Sequence, residues 1–101
     1  MGVTTDSEPT SVEDHLHAAL SAAENDEVRS VAARALGLLG DTRAVAPLAD
    51  ALETDDSDEV RASAAWALRQ VGTEDALDEA AQYTDDRAYL VQAEAEKAAG
   101  A

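Results

Sequence analysis

The chain has no cysteine, which removes disulfides and thiolate metal sites. It has no phenylalanine or isoleucine, one tryptophan and two tyrosines, so large core side chains are scarce. Burying a large side chain contributes roughly 1.5–3 kcal/mol, and alanine contributes much less. Positive charge is scarce too, with seven Lys plus Arg against 22 Asp plus Glu and a formal charge of -15. A protein that wraps nucleic-acid phosphates needs the opposite sign, so no direct nucleic-acid binding is expected. No apolar run approaches the ~18 residues of a membrane span. The stretch Met1–Pro9 has neither a basic nor an apolar region, so no signal peptide is expected. At 101 residues, one soluble cytoplasmic domain is the expectation.

Alanine is abundant, at 24 residues, while Leu and Val together supply 18. This predicts a thin core in which helices approach closely on small side chains. Six of the seven basic residues are arginine, and Lys97 is the only lysine. Such a balance looks like the proteins of a salt-accumulating halophile. At molar salt the Debye length is about 3 Å, so repulsion between carboxylates largely disappears. Folding is then expected to need salt. The competing reading is an acidic surface that attracts a basic partner.

The strongest signal is an internal repeat. Shifted by 32 positions, Asp26-Glu27-Val28-Arg29 falls on Asp58-Glu59-Val60-Arg61. Ala32, Ala33, Ala35, Leu36 and Gly40 fall on Ala64, Ala65, Ala67, Leu68 and Gly72, and Leu16 and Leu20 on Leu48 and Leu52. A weaker third copy matches at a shift of 28, placing Asp86, Ala93, Ala95 and Gly100 on Asp58, Ala65, Ala67 and Gly72.

Each unit reads as two helices. Asn25 or Asp26 is a good N-cap, and Glu27 sits favourably at the positive helix end. Val28, Val31, Ala32, Ala35, Leu36 and Leu39 recur at helical spacing and form the expected core face. Gly40 supplies the left-handed stop. A second helix carries Val45, Leu48, Ala49 and Leu52, with Pro47 tolerated near its first turn. The next unit repeats this with Ser57 or Asp58 as cap, Gly72 as stop and Thr73 capping a shorter helix. A helix over about 11–24 precedes, opened by a Thr10-x-x-Glu13 capping box. A helix over 86–99 follows. Six helices are expected in residues 10–101: two hairpins with a lone helix at each end. Residues 1–9 are expected to be a disordered tail.

The motifs Asp-Glu-Val-Arg, Ala-Ala-x-Ala-Leu-x-x-x-Gly and Asp41-Thr42-Arg43-Ala44-Val45-Ala46-Pro47-Leu48 resemble HEAT repeats, in the short form also found in phycocyanobilin lyases. The resemblance spans about residues 11–100. It implies an all-α, right-handed α-solenoid, an armadillo-type fold, with its second helices lining the concave side. It implies a non-catalytic protein-binding module, an adaptor or scaffold. The alternative by family analogy is a chromophore-lyase-like enzyme or enzyme subunit. In similar repeats an arginine at the position of Arg29 and Arg61 pairs with an Asp of the same or adjacent repeat. These two and the stop glycines Gly40 and Gly72 are therefore structural repeat residues.

No catalytic constellation, cofactor motif or metal site is expected. His15 and His17, two apart on a helix, point in nearly opposite directions. The run Asp55–Glu59 suggests calcium but lacks the glycine of an EF-hand loop, since Arg61 stands at the sixth position from Asp56. Trp66 replaces Arg34 in register, and the expectation is that it packs beneath the final helix. Candidate partner contacts lie on the outward sides of the second helices. These are Asp14 and Ser21 on the first, Asp50 and Glu53 on the next, and Asp78 and Gln82 on the last. They form an acidic groove suited to a basic helix or extended segment of an unidentified protein. The chain itself is expected to be a monomer or weak homo-oligomer.

Overall fold

The computed structural model describes residues 11–100. The tail expected at 1–9 and the Thr10 cap lie outside them. The described residues form six α-helices: α1 (Val12–Ala22), α2 (Asp26–Leu39), α3 (Val45–Thr54), α4 (Asp58–Val71), α5 (Glu74–Ala81) and α6 (Tyr89–Ala99), with a 3-10 turn at Thr42–Ala44 before α3. None of them is long and apolar enough to cross a membrane.

Local chemistry sets the helix ends. Ser11 Oγ accepts from the Asp14 N–H and starts α1. Asn25, rather than Asp26, caps α2 by accepting from the Glu27 and Val28 N–H groups. Ser57 and Thr73 do the same for α4 and α5. Gly40 and Gly72 turn the chain with φ of 66° and 75°, in the left-handed region that only glycine enters cheaply. Helix α1 ends at Ala22, short of the expected Glu24, because Arg29 Nη1 draws away the Ala23 and Glu24 carbonyls. Helix α6 starts three residues after Asp86, whose carboxylate is used in the loop to accept from the Ala88 N–H.

Helices α2, α4 and α6 form one layer and α1, α3 and α5 the other. The end helices close the stack, α1 on α2 and α6 on α4 and α5. Leu20, Leu36, Leu48, Leu52, Val60, Leu68 and Val91 fill the space between the layers with twelve buried alanines around them. Helices α2 and α4 make the most extensive contact. A Cβ on Gly37 would lie 2.6 Å from Ala67 Cα, and the buried hydroxyls of Ser30 and Ser63 meet at 2.6 Å. Small side chains thus let the α2/α4/α6 layer draw together while α1, α3 and α5 stay further apart.

Two further readings change. The buried face of α2 is Ser30, Ala32, Ala33, Leu36 and Gly37, whereas Val28, Val31 and Leu39 are exposed. The contact with α4, not amphipathic spacing alone, selects the buried arc. The last copy follows at a shift of 31, not 28. Val60, Ala64 and Ala67 correspond to Val91, Ala95 and Ala98, and all six are buried. Gly100 therefore has no stop-glycine role, and its φ is -88°.

Candidate functional site

The conserved-looking repeat position at Arg29 and Arg61 builds a ladder along one loop edge. Arg29 Nε and Nη2 donate to the Asp55 carboxylate at 2.8 and 3.1 Å, and Nη2 also reaches Asp26. Its Nη1 donates to the Ala23 and Glu24 carbonyls. Arg61 repeats each contact one unit later. It takes both Asp86 oxygens at 3.2 Å, the Asp58 carboxylate, and the Asp55 and Asp56 carbonyls. Asp55 joins the two rungs, binding Arg29 through its side chain and Arg61 through its backbone. Burial pushes the Asp55 and Asp86 carboxyls up, but the facing guanidinium and a backbone N–H from Ser57 or Ala88 outweigh it and hold both below the usual carboxylate range. Arg61 is only 3% exposed, so its charge is fully enclosed by partners.

The acidic run 55–59 is therefore engaged in this ladder through Asp55 and Asp58. Among the described residues no cluster of three or more His, Cys, Asp or Glu is placed to hold a metal ion. His15 Nδ1 donates to the Ser11 carbonyl, while His17 Nε2 lies 3.3 Å from Asp41 Oδ2. Arg43 also binds Asp41, and that guanidinium, against the opposing effect of burial, lowers the Asp41 carboxyl to about 2.

All six candidate contacts on the second helices, Asp14, Ser21, Asp50, Glu53, Asp78 and Gln82, are exposed. Ser21 and Asp50 line an open cleft of about 350 Å³ between α1 and α3, closed at one end by Arg29, Asp55 and Asp56. Asp78 lines a separate depression between α5 and α6. Asp14, Glu53 and Gln82 line neither cleft.

A second surface, missed as a unit from the sequence, crosses the α2/α4/α6 layer. Trp66 is partly buried, and the Arg34 guanidinium lies 4.6 Å from its ring centroid. One turn along α4, Arg69 donates to Glu94 on α6 at 3.0 Å, and Lys97 reaches the same carboxylate at 3.7 Å. The 32-residue register sets Arg34 of the preceding unit beside Trp66, a stacking partner that the sequence reading did not name. The available signal was that register exchange of Arg34 for Trp66, together with arginine at Arg34 and Arg69 on an otherwise acidic chain. Three of the seven basic residues gather here.

The family model of HEAT repeats matches residues 13–100. This chain belongs to the HEAT-repeat family. The match concerns HEAT repeats as such and does not extend to the chromophore-lyase type. No curated protein matches the chain. As a HEAT-repeat protein it carries a row of exposed polar and acidic side chains on the α1/α3/α5 layer and the Arg34–Trp66 stack on the α2/α4/α6 layer.

Proposed function

We propose that this HEAT-repeat protein is a non-catalytic protein-interaction module, an adaptor or scaffold, that grips a partner segment on its α2/α4/α6 face. The observation that carries this reading is Trp66, partly buried with the Arg34 guanidinium over its ring. Tryptophan and arginine are the residues that most often anchor interfaces, and anchors work best on rigid elements with water partly excluded. Trp66 meets both conditions, since α4 packs against α2, α3, α5 and α6. The Arg34 guanidinium beside it suits a partner segment that brings a carboxylate next to an apolar residue.

The second reading is the acidic α1/α3/α5 surface as the seat of a basic helix or extended segment. The exposure of all six candidate residues and the cleft holding Ser21 and Asp50 favour it. One experiment separates the two. A partner captured by crosslinking in native salt is titrated against Trp66→Ala and against the triple change Asp14→Ser, Asp50→Ser, Asp78→Ser, with helicity checked first. On the proposed reading Trp66→Ala weakens binding about a hundredfold, roughly 2.7 kcal/mol at an anchor, and the triple change leaves it nearly intact. The reverse pattern assigns the partner to the acidic surface.

A further inference from the structure

The α1–α2 hairpin ends the stack on an uncovered apolar edge. Val28 and Val31 are 46% and 64% exposed, and Val12 on α1 is 66% exposed. Leu16, Ala19, Val28, Val31 and Ala32 line a shallow groove of about 280 Å³, with Glu27 also on its wall. The repeat register shows what this edge is. Leu16, Ala19, Val28, Ala32 and Ala35 correspond to Leu48, Ala51, Val60, Ala64 and Ala67. Those five are all buried in the middle of the stack. Ala67 lies directly against Gly37, and beside it Ser63, the register mate of Val31, bonds Ser30. The surface that receives a neighbouring hairpin inside the molecule is therefore presented once more at its end, with no described residue over it.

The opposite end is built differently. Glu96 and Lys97 on α6 stand where Ala65 and Trp66 stand on α4, and both are exposed. A polar outer face is what keeps a terminal repeat soluble. Tyr89 and Leu90 at the start of α6 are exposed as well, so the charge at this end lies further along the helix, at Glu96 and Lys97.

We propose that the α1–α2 edge pairs with the same edge of a second copy of this chain, giving a two-fold symmetric dimer. Continuity with the α2–α4 contact points to a helical hairpin as occupant. Charge selects which hairpin. On a chain with 22 acidic residues the centre of this edge has none, and of the residues lining the groove only Glu27 is charged. Two such edges meet without burying a carboxylate. Head-to-tail stacking would instead press Glu96 of one copy onto Val31 and Ala35 of the next, and would extend without closing. The charge of -15 on each copy opposes the approach, and salt screens it, so the dimer strengthens as ionic strength rises.

Sedimentation velocity of the full chain over a concentration series in KCl tests the proposal. The expected result is a monomer–dimer equilibrium that shifts to dimer with both protein and salt. Val31→Glu should raise the dissociation constant at least about tenfold. Val31→Ser, which installs the residue found at Ser63, should also weaken the dimer and guards against a folding defect in the first variant. Because Val31 lies mid-way along α2, Val31→Cys in this cysteine-free chain should give a disulfide-linked dimer on mild oxidation. Glu96→Ala at the other end should change nothing. A monomer at every concentration overturns the proposal. So does a dimer indifferent to both non-cysteine Val31 changes, or growth beyond the dimer that depends on the α6 end.

Discussion

Gln92 stands on α6 where Arg61 stands on α4: each donates a side-chain N–H to the backbone carbonyl six residues upstream, of Asp86 and of Asp55. Arg29 does the same to Ala23. The three positions are one repeated device, but only the two arginines continue to an aspartate in the next loop. The exchange to glutamine keeps the carbonyl contact and drops the guanidinium. Among the described residues no aspartate loop follows Gln92. At the other end, Ala23 occupies the place of Asp55 in the 32-residue register, so no carboxylate waits there without an arginine. The ladder therefore begins and ends on neutral side chains, and each inner rung fixes one hairpin's loop against the next.

That arrangement predicts unequal effects for neighbouring acids. Asp86→Asn removes one of the two carboxylates that enclose Arg61 and should cost about 2 kcal/mol of stability. Asp56→Asn, which alters an exposed side chain and leaves the Asp56 carbonyl in place, should stay within about 0.5 kcal/mol. Chemical denaturation in molar KCl measures both. Equal losses would show that the ladder contributes nothing special.

Acid should act through the same carboxylates. The folded protein holds Asp55 and Asp86 below the usual range and Asp41 at about 2. An unfolded aspartate titrates near 3.9. Because the folded values are the lower ones, their stabilisation is complete above about pH 4 and is lost as pH falls through the folded values. At constant molar salt the melting temperature should hold to about pH 4.5 and then decline. The decline should be smaller when Asp55 and Asp86 are both changed to Asn. An identical acid profile for wild type and double variant would remove the ladder from acid unfolding.

The architecture was legible because the repeat writes each cap, stop and buried leucine twice. The 32-residue register placed Leu36 over Leu68 and Gly40 over Gly72 with no gap. The last unit was misregistered because the span from Gly72 to Asp86 is one residue shorter than that from Gly40 to Asp55, and Gly100 and Asp86 offered attractive false matches. The buried face of α2 was misjudged for a different reason. Periodicity finds apolar residues, but here the tightest contact is made by Ser30, Ala33 and Gly37, which carry little apolar weight. The Arg34–Trp66 stack joins positions one unit apart on adjacent helices, so no local window contained it. The exposed row on α1, α3 and α5 did follow from spacing alone, because exposure is what remains after the leucines are placed.

Glycine substitutions should separate close packing from backbone strain. Gly37→Ala gains roughly 1 kcal/mol in helix propensity. Its new Cβ would meet Ala67 Cα at 2.6 Å and Cβ at 2.8 Å, which forces α2 and α4 apart. A net loss of about 1–2 kcal/mol is expected. Gly40→Ala meets nothing within 4 Å and loses stability only through its φ of 66°, by about 1 kcal/mol. Pairing each change with Ala67→Gly distinguishes the two causes. That second substitution should rescue Gly37→Ala and leave Gly40→Ala unaided; rescue of both, or of neither, would contradict the packing argument.

Salt should govern the whole fold. A charge of -15 on 101 residues repels itself at low ionic strength, and a core of alanines offers little reserve against it. Circular dichroism from dilute buffer to molar KCl should show helicity and melting temperature rising together. Unchanged values across that range would mean that the acidic surface has no bearing on stability.

Trp66 offers the most direct optical test of the α2/α4/α6 face. The Arg34 guanidinium lies 4.6 Å from the ring centroid, and Trp66 is the only tryptophan, so its emission reports this one contact. Arg34→Ala should uncover a face of the ring, shifting emission to longer wavelength and increasing quenching by neutral acrylamide. Arg34→Lys keeps the charge but loses the flat guanidinium, and should fall between the two. The stability coupling in a double-mutant cycle of Arg34→Ala with Trp66→Ala should be about 0.5–1 kcal/mol, the range for a cation over an exposed ring. Quenching that stays at the wild-type level in Arg34→Ala would place the cover on Trp66 elsewhere. The final helix, whose Lys97 shares Glu94 with Arg69, would then be the element to vary next.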